Sequence, residues 1–166
     1  MIKFRDLTED EIEVRVAQYK FGKIELLLYK TARTDADILD ETIGAEKWQA
    51  EFYECCGNLF CRIGIKCGDE WVWKSDCGSE TNIEKEKGQA SDAFKRAGFK
   101  WGIGRELYTA PRISVPETSC FCKDGKCLDK FGIEKIKIVD KKITGVSVLN
   151  GKGERVFVWA IKQKEC

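Results

Sequence analysis

DAFKRAGFKWGIGREL, residues 92–107, decides how the rest of the chain is to be folded. With Ala90 before it, Ala93, Phe94, Ala97 and Trp101 recur in the three- and four-residue steps of one helix face. The stretch is therefore the end of a long helix running from about Ile83 to Trp101. Small residues on that stripe let a sheet come close. Lys95, Arg96, Lys100 and Arg105 break the apolar pattern and raise a second question, whether the helix also grips something acidic. Asp92, four residues before Arg96, is placed to pair with it.

The sheet lies upstream. In LFCRIGIKC, residues 59–67, Leu59, Cys61, Ile63, Ile65 and Cys67 alternate with Phe60, Arg62, Gly64 and Lys66, as in a half-buried strand with a more polar second face. Cys56-Gly57-Asn58 and Gly68-Asp69 supply turns on either side. WQAEFYEC and EWVWKSDC therefore flank it in an antiparallel three-strand meander, ended by Gly78-Ser79. Nearer the start, Thr8-Glu-Asp-Glu11 has the form of a capping box and predicts a short helix to about Ala17. Ile24–Lys30 predicts a strand. Thr34-x-x-Asp37 predicts the N-cap of a second short helix, stopped at Gly44.

Pro111 and Pro116 mark a break, followed by the cysteine loop SCFCKDGKC. FGIEKIKIVD and ITGVSVLNGKGERVFVWAIK then predict short strands with turns at Asp140-Lys141 and Asn150-Gly151. The fold class expected is α+β: a mostly antiparallel sheet, the three-strand meander, packed by a long helix, with a small C-terminal β appendage. Residues 1–112 are expected to form the core and 113–166 the cysteine loop and appendage.

The composition, 43% hydrophobic and 34% charged over 166 residues, supports a real core. No apolar run is long enough to span a bilayer, and MIKFRDLTEDE lacks the apolar centre of a signal peptide, so a soluble cytoplasmic protein is expected. The nine cysteines are an odd count without a secretory signal, and are expected to be reduced thiols acting mostly as small hydrophobes. Zero histidines exclude Ser-His-Asp and Cys-His relays and the imidazole-dependent zinc and nuclease chemistries. No phosphate-binding P-loop is present, and Gly102-Ile-Gly104-Arg105 is not a dinucleotide fingerprint. No Glu-x-Lys occurs, and the only Asp-x-Lys triplets begin at Asp124 and Asp140. A metal-dependent nuclease is thus the weakest of the alternatives, and neither an enzyme nor a cofactor is expected.

Net charge is only +1, but it is polarised. Residues 1–80 carry 11 Lys/Arg against 17 Asp/Glu, a net of −6, whereas residues 81–166 carry 18 against 11, a net of +7. Chance clustering is one account. A basic groove for a polyanion, or acidic and basic faces meeting between subunits, is the other.

Three groups have both an ordinary and a functional reading. Lys95, Arg96 and Lys100 are either the solvated outer face of an amphipathic helix or phosphate contacts along one wall of a groove. Trp71 and Trp73, on one face of the third meander strand, either pack into the core or stack on bases. Cys120, Cys122 and Cys127 offer three thiolates where structural zinc takes four, and the remaining candidate, Cys166, is the last residue. No metal site is assigned.

Three stretches taken together resemble the single-strand annealing domain of the Rad-fifty-two recombination family, and most closely its phage and prophage Sak-type members. They are DILDETIGAEKW (37–48), the meander, and SDAFKRAGFKWGIGRELY (91–108) with its Trp-Gly-Ile-Gly-Arg ending. The resemblance covers roughly Glu9 to Tyr108. It implies an oligomer, with a ring as its form, that holds single-stranded DNA in a basic groove and anneals complementary strands without nucleotide hydrolysis, in recombination and double-strand-break repair. The implied partners are single-stranded DNA, further copies of the chain and a single-strand binding protein. A non-annealing single-strand protector is the alternative. Lys95 and Arg96 match the family's Lys-Arg pair in the inner groove. The family's third basic position falls on Phe99, with Lys100 beside it as substitute. An arginine at the start of the family's first helix aligns with Thr34, and Arg33 lies one position earlier. Lys66, before a hairpin turn, matches a lysine of a second, outer DNA site.

Overall fold

The computed structural model describes residues 2–79 and 85–161. In chain order the elements are β1 (Glu13–Lys20), β2 (Lys23–Tyr29), α1 (Ala32–Ile43), β3 (Trp48–Cys55), β4 (Asn58–Cys67), β5 (Glu70–Cys77), α2 (Lys85–Trp101), β6 (Ile113–Pro116), β7 (Cys122–Lys123), β8 (Lys126–Cys127), β9 (Phe131–Val139), β10 (Lys142–Leu149) and β11 (Arg155–Ala160). All paired strands run antiparallel, so the class is α+β. No helix among the described residues is long and apolar enough to cross a membrane.

The chain divides into two compact units: residues 1–5 with 31–104, and residues 6–30 with 105–166. In the first, β3, β4 and β5 form the expected meander in consecutive order. Cys61, Ile63 and Ile65 are fully buried beneath α2, whose Ala93, Phe94 and Ala97 complete that core. The small residues of the helix set the distance. Gly98 lies against the buried Asp35 of α1, and a Cβ there would come within 2.5 Å of its Oδ2. Trp101 closes the helix by donating its indole N–H to the Ile63 carbonyl at 3.0 Å. Gly102 then turns out of the helix with φ 107°, its N–H and that of Ile103 both donating to the Gly98 carbonyl at 3.1 Å.

The second unit is a six-stranded sheet in the order β11-β10-β9-β1-β2-β6, whose end strands β6 and β11 touch. The boundary expected after residue 112 therefore does not match the chain's own division. β1 and β2 belong with the C-terminal strands, through the pairs Glu13↔Gly132 and Val14↔Phe131. The C-terminal segment supplies four of the six strands, β6, β9, β10 and β11, and is not a small appendage. Its turn at Asp140-Lys141 is as expected, both residues having the left-handed backbone of a two-residue hairpin.

Two local expectations are corrected. The capping box at Thr8 forms, with the Thr8 N–H donating to Glu11 Oε2 at 2.8 Å, but it opens only the 3-10 turn Glu9–Glu11. The residues that follow, EVRVAQYK, are strand β1. Val14 and Val16 alternate with charged neighbours and pair with β2 across the turn Phe21-Gly22, where tertiary pairing outweighs the cap. In α1 the cap is Thr31, three residues before the one expected, accepting the Thr34 N–H at 3.3 Å.

Candidate nucleic-acid interface

α2 carries three of the five basic residues singled out from the sequence. Arg96 and Lys100, one turn apart, lie on the flank facing β5, where both reach the Asp76 carboxylate. Arg96 Nη2 is 3.5 Å from Oδ1 and Lys100 Nζ 3.7 Å from Oδ2. Asp92 is engaged elsewhere, accepting from the Ser79 N–H at 2.9 Å and its hydroxyl at 2.8 Å, so the expected Asp92–Arg96 pair does not form. Lys95 is half-buried and stands about 100° round the helix from Arg96. By helical rotation Phe99 falls between Lys95 and Arg96, on the side of α2 away from the core. The three cations thus occupy two flanks rather than one wall.

Arg33 is exposed in the first turn of α1, a helix that packs against α2. Lys66 is not brought to these residues. It is exposed near the end of β4, opposite Trp71, on the face of the meander turned away from α2.

The β4–β5 register places both tryptophans on that same face, so they do not pack into the core. Ile63 and Ile65 take the helix side, and Trp71 is 38% exposed. The Trp73 ring lies over Gly64, where a Cβ would sit 2.8 Å from Cε3. The Arg62 guanidinium is stacked 4.6 Å from the centroid of the Trp73 ring, held there by Glu51 through Nε at 3.0 Å and Nη2 at 2.6 Å. Arg62 and Gly64 are functional candidates that the sequence alone did not single out. Their signal was the alternation itself, which puts a glycine directly across from a tryptophan.

On the helix side Lys74 reaches the end of α2. Its ammonium lies 4.3 Å from the Trp101 ring centroid and donates to the Lys100 carbonyl at 3.1 Å, a cation at the negative end of the helix.

Two cysteines of the loop, Cys120 and Cys122, are held in the thiol form. Burial, with Cys127 and Asp129 nearby, pushes the Cys120 thiol up to about 12, and burial raises Cys122 as well. Among the described residues no group of three or more His, Cys, Asp or Glu is arranged to hold a metal ion. Cys166 lies outside the described residues. Asp124 and Asp140, the acids of the nuclease alternative, each occupy a left-handed turn position, φ 51° and 49°, which accounts for them structurally.

Comparison with protein-family models, with characterised proteins and with solved structures finds no match.

Proposed function

We propose that this chain binds single-stranded DNA through its phosphates and promotes pairing of complementary strands, as a homo-oligomeric ring that hydrolyses no nucleotide. The observation that carries this reading is that Lys95, half-buried, and Arg96, exposed, stand on the two flanks of one packed helix, α2. The packing of Ala93, Ala97 and Gly98 beneath the pair fixes the helix, and with it the spacing of the two cations. The Asp76 contacts do not oppose the reading. Exposed ion pairs at such separations contribute about 0–1 kcal/mol, so a phosphate displaces Asp76 from Arg96 and Lys100 at little cost. The resemblance of residues 91–108 to the annealing family points the same way, with Arg33 on the neighbouring helix as a further phosphate contact. Phosphates held by Lys and Arg leave the bases open for pairing.

The test is binding of a labelled oligonucleotide across a salt series. Lys95→Ala/Arg96→Ala is expected to weaken binding and to make the log–log salt slope shallower by about 1.4, roughly 0.7 for each phosphate of a single strand that is no longer neutralised. Oligomer mass is expected to stay the same. Unchanged affinity in the folded double variant removes the pair from the site. In a strand-pairing assay the wild-type chain is expected to speed renaturation, and slowing would replace annealing with protection.

A further inference from the structure

We propose that the open face of the three-stranded sheet is a stacking platform for the bases of a single strand. It is a second nucleic-acid surface, separate from the Lys95–Arg96 pair. The proposal rests on the chain being a single-strand binder, but not on those two residues.

The antiparallel register lays the face out in rows. Lys66 stands opposite Trp71, Gly64 opposite Trp73, and Arg62 opposite Ser75. Successive rows are two residues apart along each strand, roughly 6.8 Å. The two indoles are neighbours on this face, with ring centroids 6.3 Å apart and planes tilted by 32°. Gly64 is the residue that lets the Trp73 ring settle onto the backbone, because any side chain there would meet the ring at 2.8 Å. Arg62 covers part of the same ring, and the two bonds from Glu51 hold its guanidinium in place. At the other end of the face Tyr53 and Phe60 are stacked, 5.4 Å between centroids.

The chemistry of the face selects the occupant. Its outward positions on β3, β4 and β5 carry no Val, Ile, Leu or Met, and every large apolar group on it is an aromatic ring. Two cations, Arg62 and Lys66, are set among those rings against one acid, Glu51. A base offers each ring a π-face, and the strand's phosphates offer each cation a partner. Stacking and cation–π contact therefore act together on one ligand. Such binding is tolerant of sequence, because every base has a π-face.

The experiment measures the full chain by fluorescence anisotropy against two labelled strands of equal length, an oligothymidylate and an abasic strand that keeps the phosphates without bases. The wild-type chain is expected to prefer the oligothymidylate by about ten-fold or more, from stacking on two tryptophans. Trp71→Ala/Trp73→Ala is expected to abolish that preference while leaving abasic binding unchanged. Trp71→Phe/Trp73→Phe, which keeps smaller rings in place, is expected to retain part of it. Lys95→Ala/Arg96→Ala is expected to weaken both strands and preserve the ratio. Equal binding of the two strands by the wild-type chain overturns the platform and leaves phosphate binding standing. Binding of neither strand overturns both readings. Loss of oligomer mass in the alanine variant with the ratio intact assigns the face to a second copy of the chain and overturns the proposal.

Discussion

The two faces of the meander are made by the same three strands and could hardly differ more. One carries Cys61, Ile63 and Ile65 under α2, all fully buried. The other carries Trp71, Trp73, Tyr53 and Phe60 together with Arg62 and Lys66, and among the described residues no helix packs on it. Hydrophobicity alone does not explain which face received the helix, since tryptophan buries more apolar area than isoleucine. Shape does. The helix lays Ala93 and Ala97 over the low surface of Cys61, Ile63 and Ile65, while the indole of this side, Trp48, meets Phe94 from the edge strand β3. The lesson is that alternation sorts residues into faces, and complementarity with the neighbouring element decides which face is inside.

The contrast can be broken or sharpened by substitution. The largest effect is expected on the covered side, where Ile63→Ala should cost about 2–5 kcal/mol in chemical denaturation, because the packed site has little room to collapse. Trp73→Ala on the open side should cost only about 0.5–1 kcal/mol, the worth of an exposed cation–π contact. Comparable losses at the two positions would mean that the open face is covered in solution. Gly64→Ala should change stability less still. Alanine gains roughly 0.5–1 kcal/mol over glycine in a strand, and lifting the indole off the backbone offsets that gain. Its signature is a red shift in tryptophan emission as the ring enters water.

The covered side also leaves a mark on pH dependence, confined to the alkaline range. Burial raises the Cys61 thiol from an ordinary 9.0 to about 12. The unfolded chain therefore loses this proton first. The stabilisation is complete below pH 9 and declines as pH rises towards 12. Cys61→Ala should flatten that alkaline limb in denaturation curves taken from pH 9 upward. Some slope should remain, because the hydrogen bond to Glu117 raises the Tyr19 phenol of the other unit to about 12.

Much of this was legible in the residues. Period-two alternation in 59–67 predicts β4 and its two faces, and the Ala93–Ala97–Trp101 stripe predicts α2 and the side it buries. The failures have a common cause in information that lies far along the chain. Thr8–Glu11 satisfies a helix cap, yet residues 13–20 become a strand because β2 and β9 are there to pair with. At the candidate site, the periodicity puts Lys95, Arg96 and Lys100 on α2 but expects them along one wall, where the structure has them on two flanks. Only the tertiary structure reveals that Asp76, on β5, draws two of them to one flank. Alternation puts Trp71 and Trp73 on one face, as found, and of their two readings the register excludes packing into the core under α2.

The short junction between β1 and β9 bears on how the molecule is made. Two residue pairs join the two halves of the six-stranded sheet, and their partners lie more than a hundred positions apart in the chain. All of the unit built around α2 except residues 1–5 lies between them in the chain. During synthesis the β1–β2 hairpin emerges well before β9, and its inner edge stays unpaired until β9 has left the ribosome. Pairing across so long a separation is slow and leaves a strand edge exposed meanwhile. The unit that holds the earliest strands is therefore expected to be the last to finish folding. A nascent chain stopped before residue 131 should show protease protection over α2 and the meander while β1 remains open to cleavage.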